Sequence, residues 1–252
     1  MKKLIVAFVF AALPALGMAA GGGVQLQKAN IDLADNASLQ RGARIFVNYC
    51  LSCHSAAYQR YNRVGMDIGL TTDDGELDVD QLKQLMLAAD KVGETMTIAM
   101  PQGDAKKWFG NPPPDLTVIA RARGVDWLYT YFKTFYIDES RPFGVNNQVF
   151  ADVGMPHVLW ELEGMKKAVK KTETDADGNE KTVITGYEMV TPGSMSEQEY
   201  DQAARDLTNF LAYSGEPIQL KRKEIGVYVL IFLFFFFIVA YLLKKEYWKD
   251  VH

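Results

Sequence analysis

The residues whose types and spacing could do chemistry are Cys50-Leu51-Ser52-Cys53-His54, which hold both cysteines of the 252-residue chain. Cys-x-x-Cys followed at once by His is the attachment pattern of a c-type haem. Thiols at this spacing can each form a thioether to one edge of a porphyrin. The next residue, His54, then lies under the ring and gives its imidazole to the iron. Two other chemistries share part of the pattern. A structural zinc site takes four ligands, but there is no third Cys, and the other histidines are His157 and His252 only. A thioredoxin-like thiol pair needs a βαβ context, whereas the run before Cys50 has helical spacing. Covalent haem uses all three residues. A membrane-tethered thiol oxidoreductase acting through Cys50 and Cys53 is the non-haem alternative.

The sixth iron ligand must come from a methionine or a histidine. Met paired with His raises the reduction potential, which suits an acceptor late in an electron-transfer chain. Met100 and Met155 each precede a proline, so the local pattern does not separate them, and His157 is the internal histidine available. Between the two methionines runs Asn111-Pro112-Pro113-Pro114-Asp115-Leu116. Three prolines exclude helix and central strand, which predicts a stiff apolar wall suited to one edge of a haem pocket.

The elements that must position these groups are largely helical. Asp35 to Ser38 supplies N-cap residues, and Leu39, Ala43, Phe46 and Val47 recur at helical spacing up to the haem motif. Residues 55–70 read as loop or short helix. The acidic run Asp73 to Asp80 reads as a solvated face, with a docking patch for a basic electron-transfer partner as the alternative. Further helices are expected at Gln81–Ala89, Leu116–Arg123 and Val125–Phe135. A turn-rich loop from Arg141 to Asn147 leads to Val153-Gly154-Met155-Pro156-His157. Glu163 to Glu188 reads as a β-hairpin turning at Asp177-Gly178. Ser194 with Glu197, or Ser196 with Glu199, fits a capping box that opens a helix through Leu207 and Phe210. Gly215-Glu216-Pro217 stops it.

The two ends bear on location. Met1-Lys2-Lys3, an apolar run from Leu4 to Leu16 and the small residues at 17–20 form a secretory signal peptide. Its run of about 13 residues is short of the ~20 a span requires. Removing it takes Lys2 and Lys3, so the formal charge moves from -4 to about -6, an acidic balance that excludes nucleic acid as a partner. Both cysteines belong to the haem motif, so no disulfide framework is expected. Ile225 to Leu243 carries no charge over 19 residues, a helix of about 28 Å against a hydrocarbon core of about 30 Å. Lys, Tyr and Trp at its far end suit the interface. The expected layout is a leader at 1–20, a periplasmic haem domain at 21–220, a membrane helix in lipid at 225–243 and a cytoplasmic tail at 244–252. Such a chain would sit in a membrane by a single pass, with the haem domain on the outer side.

Taken together, the haem motif, the stretch from Asn111 through Pro114-Asp115-Leu116 to Arg121-Ala122-Arg123, Gly154-Met155-Pro156 and the single C-terminal span resemble the cytochrome c1 family, the haem subunits of bc1 complexes. The resemblance covers about residues 35–250 and has a bacterial character: Met155 is followed directly by Pro156-His157, and the tail after the span is short. It implies a mostly α-helical c-type cytochrome fold with N- and C-terminal helices crossing near the haem, plus inserted loops and a small hairpin. It also implies one covalent haem c with its iron, Met155 as the axial ligand opposite His54, and Arg123 on a haem propionate. Implied partners are cytochrome b and a Rieske iron–sulfur subunit in a dimeric complex. Electrons would pass from the Rieske centre to a c-type cytochrome. A membrane-anchored cytochrome serving an oxidase outside any bc1 complex is the alternative of the same chemistry.

Overall fold

The computed structural model describes residues 24–86, 89–174 and 180–250. The expected leader, the Asp177-Gly178 turn and His252 lie outside them.

The chain opens with helix α1, Asn36–Ile45, where the Asp35 carboxylate accepts the Ser38 amide. The next five residues, Phe46–Cys50, continue as a π-helical turn that buries Phe46, Val47 and Cys50. Such turns re-aim the side chains they carry and collect at functional sites. Strand β1, Ala56–Arg60, and helix α2, Tyr61–Asp67, follow where a loop or short helix was expected. Helix α3 covers Val79–Lys83 only, capped by Asp78, so part of the acidic run starts this helix. Strand β2, Thr95–Met96, pairs with β1, and helix α4 spans Gln102–Phe109. After the proline stretch come α5, Ile119–Arg123, and α6, Val125–Phe132. The expected helix to Phe135 ends early, because Phe135–Ile137 forms β3 against β4, Val145–Asn147. Helix α7, Trp160–Glu163, leads into the predicted hairpin of β5, Gly164–Thr174, and β6, Glu180–Pro192.

Helix α8, Glu197–Gly215, starts at Ser196, whose hydroxyl and backbone form a full capping box with Glu199. Ser194 instead donates to the Glu161 carbonyl at 3.0 Å. Helix α8 crosses α1 at very short range. A Cβ placed on Gly42 would lie 2.0 Å from the Asp206 carbonyl oxygen. Phe46 meets Phe210 there at 5.4 Å between ring centroids. The Asp206 carboxylate takes hydrogen bonds from Ser38 Oγ at 2.6 Å and Arg41 Nε at 2.6 Å. The N-terminal segment straps over α6 and α8: Gln27 donates to Thr130 Oγ1 and Ala29 to Asp126 Oδ1, while Asn209 donates to the Asp32 carbonyl. Helix α9, Gln219–Tyr247, is long and apolar enough to cross a membrane and buries none of its residues. Among the described residues the chain is mostly helical, with three small antiparallel pairs and one apolar C-terminal helix, the fold class its sequence implies.

Candidate haem site

Cys50 ends the π-helical turn, and the chain reverses at once: Cys53 N donates to the Cys50 carbonyl at 3.0 Å and His54 N to the same oxygen at 2.8 Å. The two thiols are not bridged to each other; Cys50 is buried and Cys53 half-buried. Burial, with the neighbouring Cys53 adding to it, pushes the Cys50 thiol up to about 12. Reactive thiol pairs depend on the opposite shift, so the site opposes the thiol oxidoreductase alternative.

The proline stretch acts on His54 directly. His54 Nδ1 lies 2.7 Å from the Pro114 carbonyl oxygen. A carbonyl only accepts, so Nδ1 carries the proton and Nε2 keeps its lone pair for a metal. Burial lowers the His54 pKa, opposed by the bond to Pro114. The stretch is sewn to the residues after the motif: Leu116 N donates to the Ser55 carbonyl and Ala57 N to Asp115 Oδ2, each at 2.8 Å.

Met155 is half-buried against the core, and Tyr131 Oη donates to its sulfur at 3.3 Å. Tyr131 is stacked on Trp127 at 5.0 Å and meets Phe135 edge-on at 5.0 Å. Burial raises its pKa, and Cys50 contributes. Tyr131 therefore ties the Met155 loop to the aromatic face of α6 and to Phe135. Arg123 is exposed, with its guanidinium 5.2 Å over Trp127 and 5.6 Å over Phe150, at the outer end of the same aromatic wall. Met100 is half-exposed before α4 and is not among the residues packed on the core. His157 is buried on the far face of Phe135: its ring stacks there at 4.9 Å, and Nε2 lies 2.9 Å from Glu163 Oε2. Glu163 also pairs with Lys166.

The residues fit a covalent haem. Unbridged thiols stand at thioether spacing beside a histidine with one nitrogen fixed and the other free, and a thioether sulfur rests on an adjoining aromatic wall. Sequence reasoning missed the Pro114 carbonyl, Tyr131 and the His157–Glu163–Lys166 cluster. Tyr131 had a signal, since it lies on α6 among aromatics read as core.

A Cys-x-x-Cys-His turn on a helix crossed by the last helix of the domain, followed by one apolar span, defines a membrane-anchored c-type cytochrome. The family model described as Cytochrome C1 family matches residues 27–251. The chain is 53% identical to cytochrome c1 of Allochromatium vinosum over 253 residues, 100% of both chains. It is 46% identical to a protein named ammonia monooxygenase gamma subunit from Nitrosomonas europaea, over 100% of this chain and 98% of that one. It is 25% identical to cytochrome b/c1 of Bradyrhizobium diazoefficiens, over 86% of this chain and 34% of that longer one. The chain belongs to the cytochrome c1 family. It carries covalent haem c with its iron and serves as an electron-transfer cytochrome, a subunit of a bc1-type oxidoreductase complex.

Proposed function

We propose that this chain takes an electron from a Rieske iron–sulfur subunit and passes it to a c-type cytochrome. Cys50 and Cys53 would hold the haem through thioethers, His54 and Met155 would give its iron a nitrogen and a sulfur ligand, and Arg123 would meet a propionate. The bound haem supplies a one-electron ferric–ferrous cycle in which no bond is made or broken. The protein's part is to keep its ligands still. Pro114 fixes the His54 ring, Tyr131 donates to the Met155 sulfur, and the wall of Trp127, Tyr131 and Phe135 excludes water. The observation that carries the reading is the pairing of His54 Nδ1 with the Pro114 carbonyl, which leaves Nε2 to a metal.

The leader at 1–20 is removed, the haem domain lies in the periplasm and residues 244–252 are cytoplasmic. Cytochrome b and the Rieske protein are the partners, in a dimeric complex. A relative named cytochrome b/c1 supports the first pairing. The name of the Nitrosomonas europaea relative favours a second reading, a membrane-anchored cytochrome serving another oxidoreductase. Co-purification with cytochrome b supports the first reading, and elution without it the second.

The ligand assignment is tested by redox titration of Met155→Leu and Met100→Leu. A soft thioether favours ferrous iron, and axial ligands set haem potentials over ~0.8 V. Met155→Leu is expected to keep its haem and lose ~0.1 V or more on that scale, while Met100→Leu stays near the parent. The reverse result moves the ligand ahead of the proline stretch.

A further inference from the structure

Met155 sits in a stretch without helix or strand, residues 148–159. A thioether is a soft ligand and a poor match for ferric iron, so its place must be fixed by the protein. Two buried asparagines lace the stretch from below. Asn147 Oδ1 accepts the amides of Val149 at 2.9 Å and Phe150 at 3.1 Å. Asn146 Oδ1 accepts the Asp152 amide at 2.9 Å, and its Nδ2 donates to Asp138 Oδ2 at 2.9 Å. Asp152 has a φ of +59°, a left-handed backbone that is uncommon outside glycine and that Asp tolerates best when side chains around it hold it there. Arg141 holds it from the other side. Its Nη2 donates to the Asp152 carbonyl at 2.9 Å, and Nη1 lies 2.9 Å from Asp152 Oδ1. Arg141 Nε is buried with no hydrogen-bond partner, so the guanidinium is held there by Asp152. Every polar backbone atom of Asp152, three residues before the sulfur, is thus gripped by a side chain from the β3–β4 region. Beyond the sulfur, His157 is stacked on Phe135 at 4.9 Å.

We propose that Asn146 and Arg141 are positioning residues for the axial sulfur: by locking Asp152 in its left-handed turn they keep Met155 against the iron and shut out other ligands. The inference rests on Met155 being the axial ligand. With the lock removed, Asp152 relaxes toward an ordinary backbone angle and the sulfur leaves its place part of the time. The haem stays attached, since Cys50 and Cys53 lie outside the lock.

The test uses the full chain with its haem, in detergent, reduced and titrated with carbon monoxide, with the far-red band of sulfur-ligated ferric haem followed in parallel. The parent excludes carbon monoxide and Met155→Leu binds it. Arg141→Ala and Asn146→Ala are expected to bind it about tenfold or more tightly than the parent, the factor that follows from losing two hydrogen bonds, and to weaken the far-red band. Arg141→Lys, which keeps the charge but not the fork, falls between. Asp201→Asn, which loosens the fold away from this loop, keeps carbon monoxide out. If Met155→Leu opens the haem and the Arg141 and Asn146 variants stay as closed as the parent, the lock is refuted and the ligand assignment survives. If Met155→Leu itself stays closed, the ligand assignment falls and the lock with it. Should Asn146→Ala fail to accumulate, Arg141→Lys decides alone.

Discussion

Replacing Gly42 by Ala tests the helix crossing that carries the site. The added Cβ would lie 2.0 Å from the Asp206 carbonyl oxygen, 2.7 Å from its carbon and 2.8 Å from Phe210 Cβ, where ordinary contact begins at 3.4 Å. The obstacle is helix backbone, which no rotamer change can move aside, so α1 and α8 must part by more than an ångström. That movement also stretches the bonds from Ser38 and Arg41 to Asp206, both 2.6 Å. Overpacking of this kind costs ~1–3 kcal/mol, and the backbone obstacle with two strained polar contacts puts Gly42→Ala at the upper end. Helix propensity returns up to ~1 kcal/mol of this, so at ~2–4 °C per kcal/mol for a chain of this size the melting temperature should drop by about 4 °C or more. The assay is a melt of the full chain in detergent, followed at the haem band, with haem content measured after acid–acetone extraction. The control is Gly103→Ala on α4, where an added Cβ meets nothing within 4 Å. Helix propensity favours that change by up to ~1 kcal/mol. A Gly42→Ala protein that melts with the parent refutes the claim that this contact sets the crossing.

Three further outcomes are expected. Cys50→Ser and Cys53→Ser should each lose assembled holoprotein, read as acid–acetone-resistant haem; normal covalent haem in both would sink the attachment assignment. Truncation before Ile225 should release a water-soluble chain with an unchanged haem spectrum, because the proposed ligands all precede residue 160; loss of the spectrum would place α9 in the haem fold. Asp201 is drawn upward by burial, but hydrogen bonds from Lys133, Tyr129 and Arg205 overcome this and hold it down to about 2 from the usual 3.8. A carboxyl depressed on folding stabilises above its unfolded value and loses that contribution as pH falls through the folded one. Asp201→Asn should therefore unfold at lower urea than the parent at neutral pH, with the gap closing between about pH 4 and 2; a gap that persists at the acid end refutes the argument.

Local signals explain most of what was legible. The haem motif, the Ser196–Glu199 box, the stop at Gly215 and the uncharged span are written in neighbouring residues. The expected helix at Gln81–Ala89 is shorter in the structure, and Val125–Phe135 loses its end to a strand, because propensity does not register a partner 12 residues away such as Asn147 for Phe135. The links that make the site lie at longer range still. The His54 contact to Pro114 spans 60 positions and the Tyr131 bond to Met155 spans 24. Periodicity reports which face is buried, not which atom across the fold a side chain meets. Two serines at capping positions looked alike in sequence; only packing gave Ser194 to the Glu161 carbonyl and left Ser196 to start the helix.

The join between α8 and α9 sets a limit on travel. Only Glu216, Pro217 and Ile218 separate the two helices, a tether of at most ~10 Å. Glu216 shortens even that by accepting Arg222 Nη2 at 3.1 Å and Gln219 Nε2 at 3.3 Å from the first turns of α9. Proline at the second tether position removes a further degree of rotation. A domain so moored keeps near one height and one heading relative to α9.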